Sequence, residues 1–217
     1  MTTQRSALIV GAAPAPGAAT YYGSLIRTAD LLVAADGGGL LCLAAGRKPD
    51  LWVGDFDSVP STVAEQAERD GVTVLRYAVE KDASDLDLAL DAARESGVAS
   101  VTFTAAFSER LDHTIAAIGT LFRSADLDSC AREPSFSLYA LDARARPRVV
   151  LAEQPGTVIS LFSADSATRV TVEGVQYPLD RADLPRFTSL GLSNAATLPE
   201  QRIAVLAGRV LVVVGAA

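Results

Sequence analysis

The chain is poor in the residues that build zinc and disulfide sites: of its 217 residues, one is histidine and two are cysteine. Cys42 and Cys130 lie in apolar surroundings without CxxC or Cys/His spacing. That excludes a zinc site and is read as two reduced thiols in a cytoplasmic protein. Positive charge is also short, with 19 Lys and Arg against 26 Asp and Glu and a formal net charge of -7. That balance disfavours a nucleic-acid partner, because binding a phosphate backbone needs clustered basic side chains, and no such partner is expected. A cationic ligand or a metal-bridged anion suits it better. No apolar run is long enough to cross a membrane, since Pro14 and Pro16 interrupt the mildly hydrophobic start. The same stretch lacks the layout of a signal peptide, so the chain is expected to stay where it is made. Internal repeats and low-complexity tracts are missing too.

What is present is a chain with 49% hydrophobic residues, enough for one large domain or two small ones. From residue 7 to about 126, short apolar runs ("ALIVGAA", "LLVAAD", "LWVGDFD", "VTVLRYA", "SVTFTAA") alternate with stretches of helical composition. Strands spaced by helices predict βα crossovers and a mostly parallel sheet covered on both faces. In "SDLDLALDAARESG", Leu86, Leu90 and Ala93 fall at helical spacing, Ser84 with Asp87 three residues on predicts the N-cap, and Gly97 the stop. Beyond residue 130 the runs "FSLYALDA", "RPRVVLAE", "TVISLFSA", "RVTVEGVQYPL" and "RIAVLAGRVLVVVG" follow one another without helices. They predict an all-β sandwich or barrel-like domain, closed by a hairpin at Gly208-Arg209. The boundary is expected near "DSCAREPS", giving an α/β domain over 1–130 and an all-β domain over 131–217.

Acidic residues recur where the strands end. Asp36 closes the second predicted strand, Asp55 and Asp57 flank Phe56 at the end of the third, and Asp82 and Asp85 follow the fourth. Loops at the carboxyl ends of parallel strands form the ligand crevice of such sheets. Five carboxylates on one rim repel one another unless a cation lies among them, and Mg²⁺ typically takes one or two carboxylates together with phosphate oxygens. Singly, Asp36, Asp82 and Asp85 could equally be turn or cap residues. Gly37, Gly38 and Gly39 open a strand-to-helix turn whose backbone N–H groups could meet a nucleotide, although any tight turn favours glycine. Lys81 and Arg110 could steady a polyphosphate or form ordinary ion pairs with neighbouring acids. His113 follows Asp112 at the start of a helix and is more simply structural than a general base, and Trp52, inside an apolar strand, is most simply core.

Taken in order, "ADGGGLLCLAAGRKPDLWVGDFDSV", "EKDASDLDLAL", "ERLDHTIAAIGTL", "GVQYPL" and "SLGLSN" resemble the thiamine pyrophosphokinase family over both predicted domains. The resemblance implies an α/β nucleotide-binding domain, a C-terminal β-sandwich that binds thiamine, and a homodimer with active sites between subunits. It implies diphosphoryl transfer from ATP to the hydroxyl of thiamine, yielding thiamine diphosphate and AMP. On this reading Asp55, Asp57 and Asp82 hold Mg²⁺ with Asp36 contributing directly or through water, while Asp85 and Asp112 orient the hydroxyl or accept its proton. Lys81 and Arg110, with Asp36, Gly37 and Gly38, bind the nucleotide. Ser84, Tyr177, Ser189, Ser193 and Asn194 contact thiamine, Tyr177 through cation–π attraction to the thiazolium. One departure stands out: Ser108 and Glu109 occupy the place of a usual glycine pair. It leaves two alternatives open, transfer to another alcohol such as a hydroxymethylpterin, and a binding homologue that has lost turnover.

Overall fold

The computed structural model describes residues 5–107 and 110–215. Ser108 and Glu109, where a glycine pair was expected, lie outside the described residues. The chain divides into two compact units at Thr120/Leu121.

The first unit runs β1 (Ser6–Val10), α1 (Ala19–Thr28), β2 (Leu31–Ala35), α2 (Gly38–Ala44), β3 (Leu51–Gly54), α3 (Ser61–Arg69), β4 (Thr73–Arg76), α4 (Asp85–Glu95) and β5 (Ser100–Thr104). α5 (Leu111–Arg123) begins in this unit and ends in the next. The five strands pair in parallel in the order β5-β1-β2-β3-β4. All of β2 and four of the five residues of β1 are buried, which is why both read as unbroken apolar runs rather than alternating ones. Around them pack Tyr22 and Ile26 from α1, Cys42 from α2 and Trp52 from β3. Burial pushes the Cys42 thiol up to about 12, as befits a packing residue. The α4 cap forms as expected: the Asp87 amide donates to Ser84 Oγ, and the Asp87 carboxylate accepts from the Ser84 backbone. Gly97, at φ +71°, takes the chain out of the helix.

The second unit holds β6 (Asp128–Glu133), β7 (Phe136–Asp142), β8 (Arg148–Leu151), β9 (Val158–Ser163), β10 (Arg169–Glu173), β11 (Leu179–Asp183), β12 (Asn194–Ala195), β13 (Gln201–Ala207) and β14 (Arg209–Gly215). They form two antiparallel layers, β12-β9-β14-β7-β6 and β11-β10-β13-β8. Between them lies a core that includes Leu141, Ile159, Leu161, Val170, Val172, Ile203 and Val212, as a sandwich requires.

Residues 128–135, where the boundary is expected, form β6 and a tight turn into β7. One expectation is corrected. Gly208-Arg209 is not a hairpin turn, because β13 pairs with β10 and β8 while β14 pairs with β7 and β9. The chain steps from one layer to the other at Gly208, whose φ is +72° and where a Cβ would come within 2.7 Å of the Ala167 carbonyl oxygen. Two apolar strands one residue apart carry the same alternation whether they pair side by side or pack face to face, so the pattern could not distinguish the two. Among the described residues no helix is long and apolar enough to cross a membrane.

Candidate active site

In the first unit β5 returns to pair with β1, so the strand order reverses between them, and the crevice that such a reversal opens lies at the strands' carboxyl ends. A cleft of about 1240 Å³ occupies this place. The loop after β1 (Gly11 to Pro16) lines one part of it and Ala106 and Phe107 after β5 another. A Cβ on Gly11 would fall 2.5 Å from the Ala105 carbonyl oxygen, so only glycine lets these two loops approach so closely. Asp36, Phe56 and Ala105, directly beyond or just past the ends of β2, β3 and β5, have left-handed backbones with φ of 43°, 62° and 50°. Non-glycine residues take such conformations at a cost of about 1–3 kcal/mol each, and they cluster where a site over-determines the backbone.

Asp36, Asp55 and Asp57 each bring a carboxylate oxygen within 4.8 Å of the others. Asp55 Oδ1 accepts from the Asp57 amide at 3.2 Å, and Asp36 Oδ2 accepts from Ser58 Oγ at 2.6 Å. Asp36 Oδ1 is buried and has no hydrogen-bond partner. Lys81 supplies the positive charge. Its ammonium donates to Asp55 Oδ2 at 2.8 Å and forms an ion pair with Asp85 Oδ1 at 2.9 Å. The hydrogen bond from Lys81, then that from the Asp57 amide, holds the Asp55 carboxyl below its usual range. Burial dominates at Asp85 and raises it despite Lys81. For Lys81, burial pulls downward, but the two carboxylates outweigh it and the net shift is upward. Three hard oxygen donors with one buried orphan oxygen are a donor set fitted to a divalent cation such as Mg²⁺.

The other expected residues are distributed as follows. Asp82 is exposed, outside the carboxylate trio and away from the cleft lining. Gly37 and Gly38 do not line the cleft either. A Cβ on Gly38 would lie 2.1 Å from the Val10 carbonyl oxygen, and one on Gly39 would lie 1.9 Å from the Trp52 ring, so these glycines serve the close packing of α2. Arg110 and Asp112 line the cleft as an exposed pair, Nη2 to Oδ2 2.7 Å, which holds Asp112 low and Arg110 high. Exposed His113 and the cap residue Ser84 also lie along it.

In the second unit Tyr177 is 64% exposed. Asn194 is buried, and its side-chain amide is engaged with the Tyr177 backbone, accepting from its N–H at 3.0 Å and donating to its carbonyl at 2.8 Å. Exposed Ser189 opens a 3₁₀ turn, and exposed Ser193, at φ 57°, donates its N–H to Ser160 Oγ. Sequence reasoning missed the Gly11 to Pro16 loop, Phe107 and Ser58. The signal for the first was a glycine at the end of an apolar strand, followed by "AAPAPG".

Two family models match the chain: "Thiamin pyrophosphokinase, catalytic domain" over residues 22–131, and "Thiamin pyrophosphokinase, vitamin B1 binding domain" over residues 148–208. The thiamine pyrophosphokinase of Bacillus subtilis (strain 168) is 26% identical over 173 residues, covering 76% of this chain and 77% of that protein. Among solved structures, thiamine pyrophosphokinase from Bacillus subtilis superposes with a TM-score of 0.81 at 21% identity, covering 98% of this chain and 100% of the other. The yeast thiamin pyrophosphokinase structure does so with 0.74 at 13% identity, covering 100% and 88%. At these identities the superpositions speak for the fold.

Proposed function

This chain belongs to the thiamin pyrophosphokinase family, and from that premise we propose that it transfers the diphosphoryl group of ATP to the hydroxyl of thiamine, giving thiamine diphosphate and AMP. The observation that carries the reading is the carboxylate trio with Lys81 beside it, at the strand ends of the matched catalytic region.

Asp36, Asp55 and Asp57 are the residues that would hold Mg²⁺. Bound there, the cation would neutralise phosphate charge and leave the β-phosphorus open to in-line attack. Asp82 stands apart from the trio, so we assign it no direct place. Lys81 and Arg110 face the cleft and present ammonium and guanidinium to the polyphosphate. In the transfer, the thiamine hydroxyl oxygen bonds to the β-phosphorus, the bond from that phosphorus to the bridging oxygen of the α-phosphate breaks, and AMP leaves. The hydroxyl proton goes to a carboxylate. Asp85 suits that task better than Asp112, because burial raises its pKa whereas the hydrogen bond from Arg110 depresses that of Asp112.

Tyr177 offers an exposed aromatic face to the cationic thiazolium, with Asn194 holding its backbone and Ser189 and Ser193 available nearby in sequence for polar contacts. The second unit also exposes Phe187, Leu190, Leu192 and Leu198, apolar surface suited to a homodimer with sites between subunits. The two free cysteines suit a cytoplasmic location. Purified protein incubated with Mg-ATP and thiamine should form AMP and thiamine diphosphate in equal amounts. Formation of neither, with a parallel panel of other alcohols also inert, would overturn the assignment.

A further inference from the structure

Asp36 is held from three directions. Its amide donates to the Val53 carbonyl at 2.8 Å, its carbonyl accepts from the Trp52 indole Nε1–H at 2.7 Å, and its Oδ2 accepts from Ser58 at 2.6 Å. The backbone so held is left-handed, at φ 43°. Room for the indole is made by Gly39, where a Cβ would overlap the ring. Trp52 is fully buried, so its N–H has no water to turn to and Asp36 is its partner. What remains free on Asp36 is one buried oxygen, Oδ1, in a residue whose carboxylate belongs to the trio with Asp55 and Asp57.

We propose that Trp52 and Ser58 are positioning residues that clamp Asp36, Trp52 through its backbone and Ser58 through Oδ2, so that Oδ1 is reserved for the divalent cation. The inference rests on the metal reading of the trio. Without the Ser58 hydroxyl the carboxylate is free to rotate and exchange its two oxygens. Without the indole N–H the Asp36 carbonyl loses the shorter of its two bonds and keeps only that from the Gly39 amide at 3.1 Å, which holds its peptide less firmly. Either loss makes the cation order a ligand that the native site presents already ordered.

Mn²⁺, counted as free ion by electron paramagnetic resonance in the absence of nucleotide and thiamine, is the probe. Ser58→Ala and Trp52→Phe should each weaken its binding about tenfold, the loss typical when a partner orienting a metal ligand is removed. Ser58→Thr, which restores a hydroxyl, should recover most of the affinity. Ser58 is exposed, so its variants test the clamp even if Trp52→Phe does not fold. Unchanged Mn²⁺ affinity in Ser58→Ala would overturn the clamp. Asp55→Asn separates the two readings: if it weakens binding while Ser58→Ala does not, only the clamp fails, and if neither changes binding, the metal assignment fails with it.

Discussion

Lys81→Met keeps most of the side chain's apolar stem and deletes its ammonium. The Lys81 side chain is only 15% exposed, and its ammonium lies 2.8 Å from Asp55 and 2.9 Å from Asp85. Two opposite unit charges at 2.8 Å attract by roughly 1.5 kcal/mol at the dielectric of water and roughly 6 kcal/mol at an effective dielectric of 20. Desolvation of all three groups offsets much of this. A divalent cation entering the trio must take Asp55 from Lys81, so even a residual attraction of about 1.4 kcal/mol weakens metal binding about tenfold. Lys81→Met should therefore bind Mn²⁺ about tenfold more tightly than the native protein when no nucleotide is present, while diphosphoryl transfer falls because the polyphosphate loses its ammonium. Titration followed by electron paramagnetic resonance measures the first, and AMP release the second. Lys48→Met serves as the control for net charge: Lys48 pairs with Asp70 at 2.8 Å on the surface and does not line the cleft, so its removal should leave Mn²⁺ affinity unchanged. Affinity in Lys81→Met equal to or weaker than native would refute the idea that the lysine competes with the cation.

Gly39→Ala would place a methyl inside the Trp52 ring position, and overpacking of this kind costs about 1–3 kcal/mol or more. Calorimetry should show a melting point lowered by several degrees, and an unchanged one would mean that α2 can shift away. Tyr177→Ala should raise KM for thiamine with little change in melting temperature, since the ring is 64% exposed, and an unaltered KM would remove Tyr177 from the substrate site. Hydrogen bonding and charge from Arg209 hold the Asp165 carboxyl below its usual value, so the pair's contribution is present at neutral pH and lost as pH falls below about 4. A small stability deficit of Asp165→Asn, at most about 1 kcal/mol for so exposed a pair, should vanish in acid. A deficit undiminished at pH 2 would contradict the linkage.

β1 and β2 were legible because burial on both faces demands continuous apolar runs, and α4 because its cap is a local exchange between Ser84 and Asp87. The acids were legible as aspartates at strand ends. Which of them meet was not: Asp55 and Asp57 join Asp36 from a neighbouring strand, while Asp82, close to Lys81 in sequence, stays outside. Trp52 read as core, and it is buried, but its bond to the Asp36 carbonyl depends on the β2–β3 register. Gly38 and Gly39 read as candidates for nucleotide contact, and the atoms they must clear, the Val10 carbonyl and the Trp52 ring, come from other strands.

The amino-acid order by itself determined the local alternatives: where strands, caps and turns form, and which side chains carry charge. These depend on neighbours a few residues apart. The tertiary structure alone decided that β5 returns beside β1 to open the cleft, that β13 and β14 go to different layers, and that Lys81 reaches Asp55. Such pairings are settled by which buried surfaces fit together across long loops, and hydrophobic alternation is degenerate with respect to partner.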